Sequence, residues 1–153
     1  MKTITGDLIR LAKAGEFDVI CHGANCLCTM GAGIAKQIAK EFPKAFEVDR
    51  TTESGNRKKL GTCTTADCGS IIVVNAYTQF GYGGGIANID YDAVRSCMRC
   101  VADAYPDKRI GLPKIGAGLA GGDWDLIYAI IEEELAGMDV TIVEWEVCKE
   151  GIE

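Results

Sequence analysis

Apolar and polar positions alternate along this chain in two rhythms, and the two rhythms predict its elements. Lys2–Thr5, Phe17–Cys21, Ile110–Pro113 and Val140–Val147 read as strands, mostly short and with little polar alternation. Between them apolar residues recur at helical spacing. Leu8–Lys13 is a short helix that Asp7 caps and Gly15 ends. Ile34, Ile38, Ala39 and Phe42 define a helix over Gly33–Phe42, interrupted by Pro43 and continued for a turn over Ala45–Val48. A third helix runs from its cap Asp90 to about Ala104, with Ala93, Val94, Cys97, Met98 and Val101 on one face. A fourth runs from its cap Asp123 to about Ala136, with Leu126, Ile127, Ile130, Ile131 and Leu135 inward. Thr62–Ala66 and Ile71–Tyr77 are β-rich runs joined by Asp67-Cys68-Gly69-Ser70, which is turn chemistry, so they form a hairpin. Thr51–Lys59 is a polar loop and Gly81–Gly85 a flexible one. Buried strands separated by amphipathic helices require a sheet covered on both faces, and the hairpin makes that sheet mixed.

At 153 residues the chain is one domain by length. Its net charge of −6 argues against strong nucleic-acid binding, which needs positive charge to release counterions. Arg57-Lys58-Lys59 is the one basic cluster, read as a solvated loop with phosphate contact as the alternative. No window is apolar enough to span a membrane, and the acidic N-terminus is no export signal, so a cytoplasmic location is expected. The eight cysteines then read as reduced, small and mostly buried. Cys97-x-x-Cys100 lies inside a helical pattern, and the paired knuckles of a zinc site are missing, so no metal and no cofactor is assigned.

Two strand–glycine loop–helix units carry the candidate chemistry. One holds Gly31 and Gly33, the other Gly116, Gly118, Gly121 and Gly122. Glycines leading into a helix let backbone N–H groups approach an anion, and the helix N-terminus favours negative charge. In an open α/β sheet both loops fall at the carboxyl ends of strands. Two facing loops suit a pyrophosphate. Gly116-x-Gly118-x-x-Gly121 fits a dinucleotide fingerprint, but it sits in the last unit of the chain and the usual first βαβ unit is missing. No Gly-Lys-Ser/Thr is present, which excludes an ATPase-type phosphate loop. The only histidine, His22, ends the second strand three residues before Asn25. A histidine there can serve as general acid or base, or simply hydrogen-bond to structure.

Gly6-Asp7-Leu8, His22-Gly23-Ala24-Asn25, Met30-Gly31-Ala32-Gly33-Ile34-Ala35 and Phe42-Pro43 resemble the first half of a macro domain. Asn75-Ala76-Tyr77-Thr78-Gln79, Tyr91-Asp92-Ala93 and Pro113–Trp124 resemble its second half. The resemblance covers nearly all of 1–153 and implies a single domain, an α/β fold built as a three-layer α/β/α sandwich, and ADP-ribose or a derivative as ligand. The branch it looks most like contains ADP-ribose 1″-phosphate phosphatases and small mono-ADP-ribosyl hydrolases. By that resemblance Asp7 accepts from the adenine amino group, with Leu8 beside it. Gly31, Ala32, Gly33 and Ile34 line one side of the pyrophosphate, and Gly116, Ala117, Gly118 and Leu119 the other. Asn25 holds the distal ribose, and Tyr77, Gln79 and Phe80 border the cleft. The hydrolases that work through a lysine nucleophile and a following aspartate have those groups where this chain has Gln79 and Ala120, and glutamine cannot form a Schiff base. The expected activity is therefore ADP-ribose 1″-phosphate hydrolysis with His22 and Asn25 as catalytic residues. The alternatives are release of ADP-ribose from modified protein or nucleic acid, and a non-catalytic reader. A monomer is expected.

Overall fold

The computed structural model describes residues 1–84 and 88–145. Six strands make one sheet: β1 (Lys2–Gly6), β2 (Val19–Ala24), β3 (Cys63–Asp67), β4 (Ile72–Tyr77), β5 (Ile110–Leu112) and β6 (Val140–Trp145). Their spatial order is β1-β6-β5-β2-β4-β3, and every neighbouring pair is parallel except β3 with β4. That exception is the expected hairpin, turned by Gly69, whose N–H donates to Asp67 Oδ1 at 3.0 Å.

Strand alternation sends Val19, Cys21, Val74, Leu112 and Ile142 to one face, under α4 (Tyr91–Ala104) and α5 (Trp124–Glu134). Ile20, Val73 and Val143 point the other way, under α1 (Leu8–Lys13), α2 (Gly33–Glu41) and α3 (Pro43–Arg50). The result is the three-layer α/β/α sandwich with a mixed central sheet. Both faces are apolar because both are covered, and each fully buried aliphatic side chain contributes about 1.5–3 kcal/mol.

Three local expectations change. Pro43 does not merely interrupt a helix. It occupies the first turn of α3, where its missing N–H has no helical partner to lose and its fixed φ suits a helix start. Leu126 was expected on the buried face of α5 but is 46% exposed, because Ile127, Ile130 and Ile131 already fill the contact with the sheet. The basic cluster forms a 3-10 turn, Arg57–Lys59, and Lys59 is buried with only 8% exposure instead of solvated. Gly85, the end of β6 expected at Val147, and Cys148 lie outside the described residues. The seven described cysteines are free, and among the described residues no group of three potential ligands is placed to hold a metal. No helix among them is long and apolar enough to cross a membrane.

Five parallel strands end on one edge of the sheet, at Gly6, Ala24, Tyr77, Leu112 and Trp145. The segments that follow β1, β2, β4 and β5, with the end of β6, therefore collect at that edge. It is the edge where open α/β sheets bind ligands.

Candidate ligand-binding site

Asp7 follows the last residue of β1. Its Oδ1 accepts from the N–H of Ile9 (3.1 Å) and Arg10 (3.2 Å), which caps α1. Parallel pairing sets Gly6 beside Trp145, the last described residue of β6. Gly6, Asp7, Arg10, Leu11 and Trp145 line a pocket of about 320 Å³, and the indole is 59% exposed. A carboxylate beside an exposed aromatic face suits a flat heterocycle with an exocyclic amine. Leu8 was expected here, but it is 2% exposed, packs in the core with Phe17 and Ile20, and is not among the residues that line the pocket. Trp145 went unnoticed in the sequence because its partner Gly6 is at the other end of the chain. The available signal was a bulky aromatic at the end of the last strand.

The two glycine loops meet. A Cβ built on Gly33 would stand 3.4 Å from Leu119 Cδ1, although the residues are far apart in sequence. Gly33 takes the left-handed region (φ +58°), as do two non-glycine residues of the same loop, Cys28 (φ +57°) and Met30 (φ +41°). L residues seldom adopt that region, and such strain concentrates at functional loops. Gly31, Ala32 and Gly33 are exposed and Ile34 half-buried. At the head of α2 the first internal backbone bond is from Lys36 N–H to Ala32 O, at 3.3 Å. The N–H groups of Ala32, Gly33 and Ile34 therefore have no acceptor among the described residues.

The facing loop is built to do the same. Gly116 (φ +74°) closes it by accepting from Gly122 N–H at 2.7 Å, and Ala117 N–H donates to Lys114 O at 3.2 Å. That leaves the N–H groups of Gly118, Leu119 and Ala120 without an acceptor among the described residues. Leu119 is 75% exposed, and its Cδ1 is the atom that approaches Gly33. Two adjoining loops whose N–H donors have no acceptor among the described residues suit a polyanion.

Asn25, half-buried, follows β2 directly. Its Oδ1 accepts from Leu27 N–H (2.9 Å) and its Nδ2 donates to Thr29 Oγ1 (2.8 Å). One amide hydrogen and one lone pair remain for a ligand hydroxyl. Gln79 donates to Gly81 O at 2.7 Å, and Phe80 lies under the Arg57 guanidinium, 4.1 Å from Cζ to the ring centroid. Phe80 is tied to the Asn25 segment through Cys26 N–H to Phe80 O, 2.9 Å.

His22 and Tyr77 are corrections. Both are 0% exposed. Residue alternation on β2 sends His22 beneath α3, where Nε2 lies 2.6 Å from Asn75 Oδ1. Asn75 spends its amide hydrogens on Ala45 O (2.9 Å) and Thr64 Oγ1 (3.1 Å), so its oxygen accepts and His22 carries its proton on Nε2. Burial holds the imidazole pKa below its ordinary value, partly offset by the Asn75 bond, and Nδ1 has no hydrogen-bond partner among the described residues. Tyr77 donates to Asp49 Oδ1 at 2.7 Å and meets Thr64 Oγ1 at 3.0 Å, and burial pushes its pKa upward. Neither ring borders the open cleft. Strand-end position was the signal for both, and α3, which covers that end, was not visible as a full helix in the sequence.

The chain has relatives in sequence and in fold. The macro domain family model matches residues 21–131. An uncharacterized 17.5 kDa protein of enterobacteria phage T4 is 36% identical, over 95% of this chain and 97% of its own. An ADP-ribose 1″-phosphate phosphatase of Candida glabrata is 23% identical, over 82% of this chain and 89% of its own. Among solved structures, a protein of unknown function from Bacteroides thetaiotaomicron superposes with a TM-score of 0.80 at 30% identity, covering 94% of this chain and 96% of that one. Thermosipho africanus DarTG in complex with ADP-ribose superposes with a TM-score of 0.71 at 14% identity, covering 97% of this chain and 43% of that one.

Proposed function

The chain belongs to the macro domain family, and on that premise we propose that it binds ADP-ribose along the carboxyl edge of its sheet and hydrolyses ADP-ribose 1″-phosphate. The observation that carries the binding reading is the approach of Gly33 to Leu119 with unpaired N–H donors on both loops. Adenine lies against Trp145 with its amine on Asp7 and the Leu8 backbone. The pyrophosphate sits between Gly31–Ile34 and Gly116–Leu119. The distal ribose reaches Asn25, beside Gln79 and Phe80.

The hydrolytic reading draws on the similarity to the Candida glabrata phosphatase and on Gln79 and Ala120, which leave no lysine–aspartate pair at those positions. Water attacks phosphorus and the C1″ oxygen leaves, giving ADP-ribose and inorganic phosphate. His22 takes no direct part, because no atom of it reaches solvent. Asn25 has no titrating proton, so its contribution is orientation of the ribose and of the attacking water. An enzyme without a positioned general base forgoes about 10²–10⁴-fold in rate, so turnover is slow.

Incubation with ADP-ribose 1″-phosphate should release phosphate, and Asn25→Ala should slow that release more than it weakens binding. A parallel incubation with mono-ADP-ribosylated protein should release little ADP-ribose. If the chain binds ADP-ribose yet releases neither product, it is a reader and the hydrolytic reading falls.

A further inference from the structure

Arg57 lies on the surface next to the distal-ribose end of the cleft, and its setting is built in three steps. Asn56 Oδ1 accepts from Lys58 N–H at 2.9 Å and starts the 3-10 turn. Lys59, buried, donates from Nζ to Cys26 O at 3.2 Å and stands 4.7 Å over the Tyr77 ring, which fastens the turn to the residue after Asn25. Gly55 N–H also donates to Cys26 O, at 2.8 Å. The turn therefore cannot shift without moving the Asn25 segment.

On this base the Arg57 guanidinium lies on the Phe80 ring at 4.1 Å. Contact over the ring restrains the side chain, while the guanidinium N–H groups have no acceptor among the described residues. Arg95, Arg99 and Arg109 each pair with a carboxylate. Arg57, like Arg10 and Arg50, has no ion pair among the described residues, in a chain whose net charge is −6, and its ring contact at 4.1 Å is closer than the 5.6 Å of Arg50 over Phe46. A stacked, unpaired arginine is a poor device for stability and a good one for an oxyanion, since its fork matches phosphate oxygens two at a time.

We propose that Arg57, held over the Phe80 ring, is a specificity-determining residue that selects a phosphate on C1″ of the distal ribose over a bare hydroxyl. This inference rests on the ADP-ribose reading of the cleft. The phosphate approaches the exposed edge of the guanidinium while Asn25 holds the ribose. Lys58, exposed on the same turn, adds a second, looser positive charge.

The test compares two ligands by calorimetry: ADP-ribose, and its hydrolysis-resistant 1″-phosphonate in which CH₂ replaces the bridging oxygen. The unmodified chain should prefer the phosphonate by about tenfold, a preference that shrinks with added salt. Arg57→Gln should bring the two ligands within about twofold while its ADP-ribose affinity stays unchanged. Arg57→Lys should retain part of the preference, because it keeps the charge and loses the fork. An unchanged preference in Arg57→Gln overturns this proposal and leaves the cleft reading intact. Failure of the unmodified chain to bind either ligand overturns both.

Discussion

His22 is the only histidine in the chain, and its surroundings turn it into a reporter of the folded state. Burial lowers its pKa below the ordinary 6.5, so the unfolded chain takes up a proton before the folded one does. Stability linked to His22 is therefore complete above about pH 6.5 and is lost as pH falls from there towards the lower folded value. Thermal melts from pH 7.5 to 5.5 should show a falling melting temperature, and His22→Gln, which can keep a donor towards Asn75, should flatten that slope. A slope that persists in His22→Gln would assign it to other groups. Asp7 caps α1 through Oδ1 and also lines the pocket beside Trp145. Arg57 and Phe80 form a pair that no local pattern could reveal, since 22 residues separate them in the chain and one ring contact joins them in space.

At the scale of elements, what was legible was what is decided locally. Asp7, Asp90 and Asp123 cap the helices expected of them, because a cap needs only its own side chain and the next turn. The glycine loops were legible for the same reason. The hairpin was legible from Asp67 to Gly69 and the runs on either side. What was not legible depends on other elements. Pro43 begins a helix where it was expected only to break one, and that helix covers the end of β2 and withdraws His22 and Tyr77 from the cleft. The position of Trp145 needs the β1–β6 pairing. The second loop makes a sharp prediction of its own. Gly116 combines a left-handed backbone with a Cβ position 2.5 Å from Ile89 Cδ1. Gly116→Ala should therefore lower unfolding free energy by about 1–2 kcal/mol, through strained φ and displacement of Ile89. Urea denaturation measures it, and a neutral result would mean that the loop relaxes without cost.

The whole molecule is a sheet with one working edge. Five parallel strands deliver their carboxyl ends there, the helices on both faces keep the rest dry, and the cleft gathers unpaired N–H donors on an otherwise acidic chain. On the proposed reading, that edge takes a ligand with an aromatic base, a diphosphate and a second ribose laid out in line. Titration calorimetry with ADP-ribose, NAD and AMP, on the unmodified chain and on Gly33→Glu, tests this most directly. The account predicts that ADP-ribose binds tightest of the three and that Gly33→Glu, which puts a carboxylate at the pyrophosphate position, binds none of it while remaining folded. Tighter binding of NAD, or undiminished ADP-ribose binding by Gly33→Glu, would contradict it.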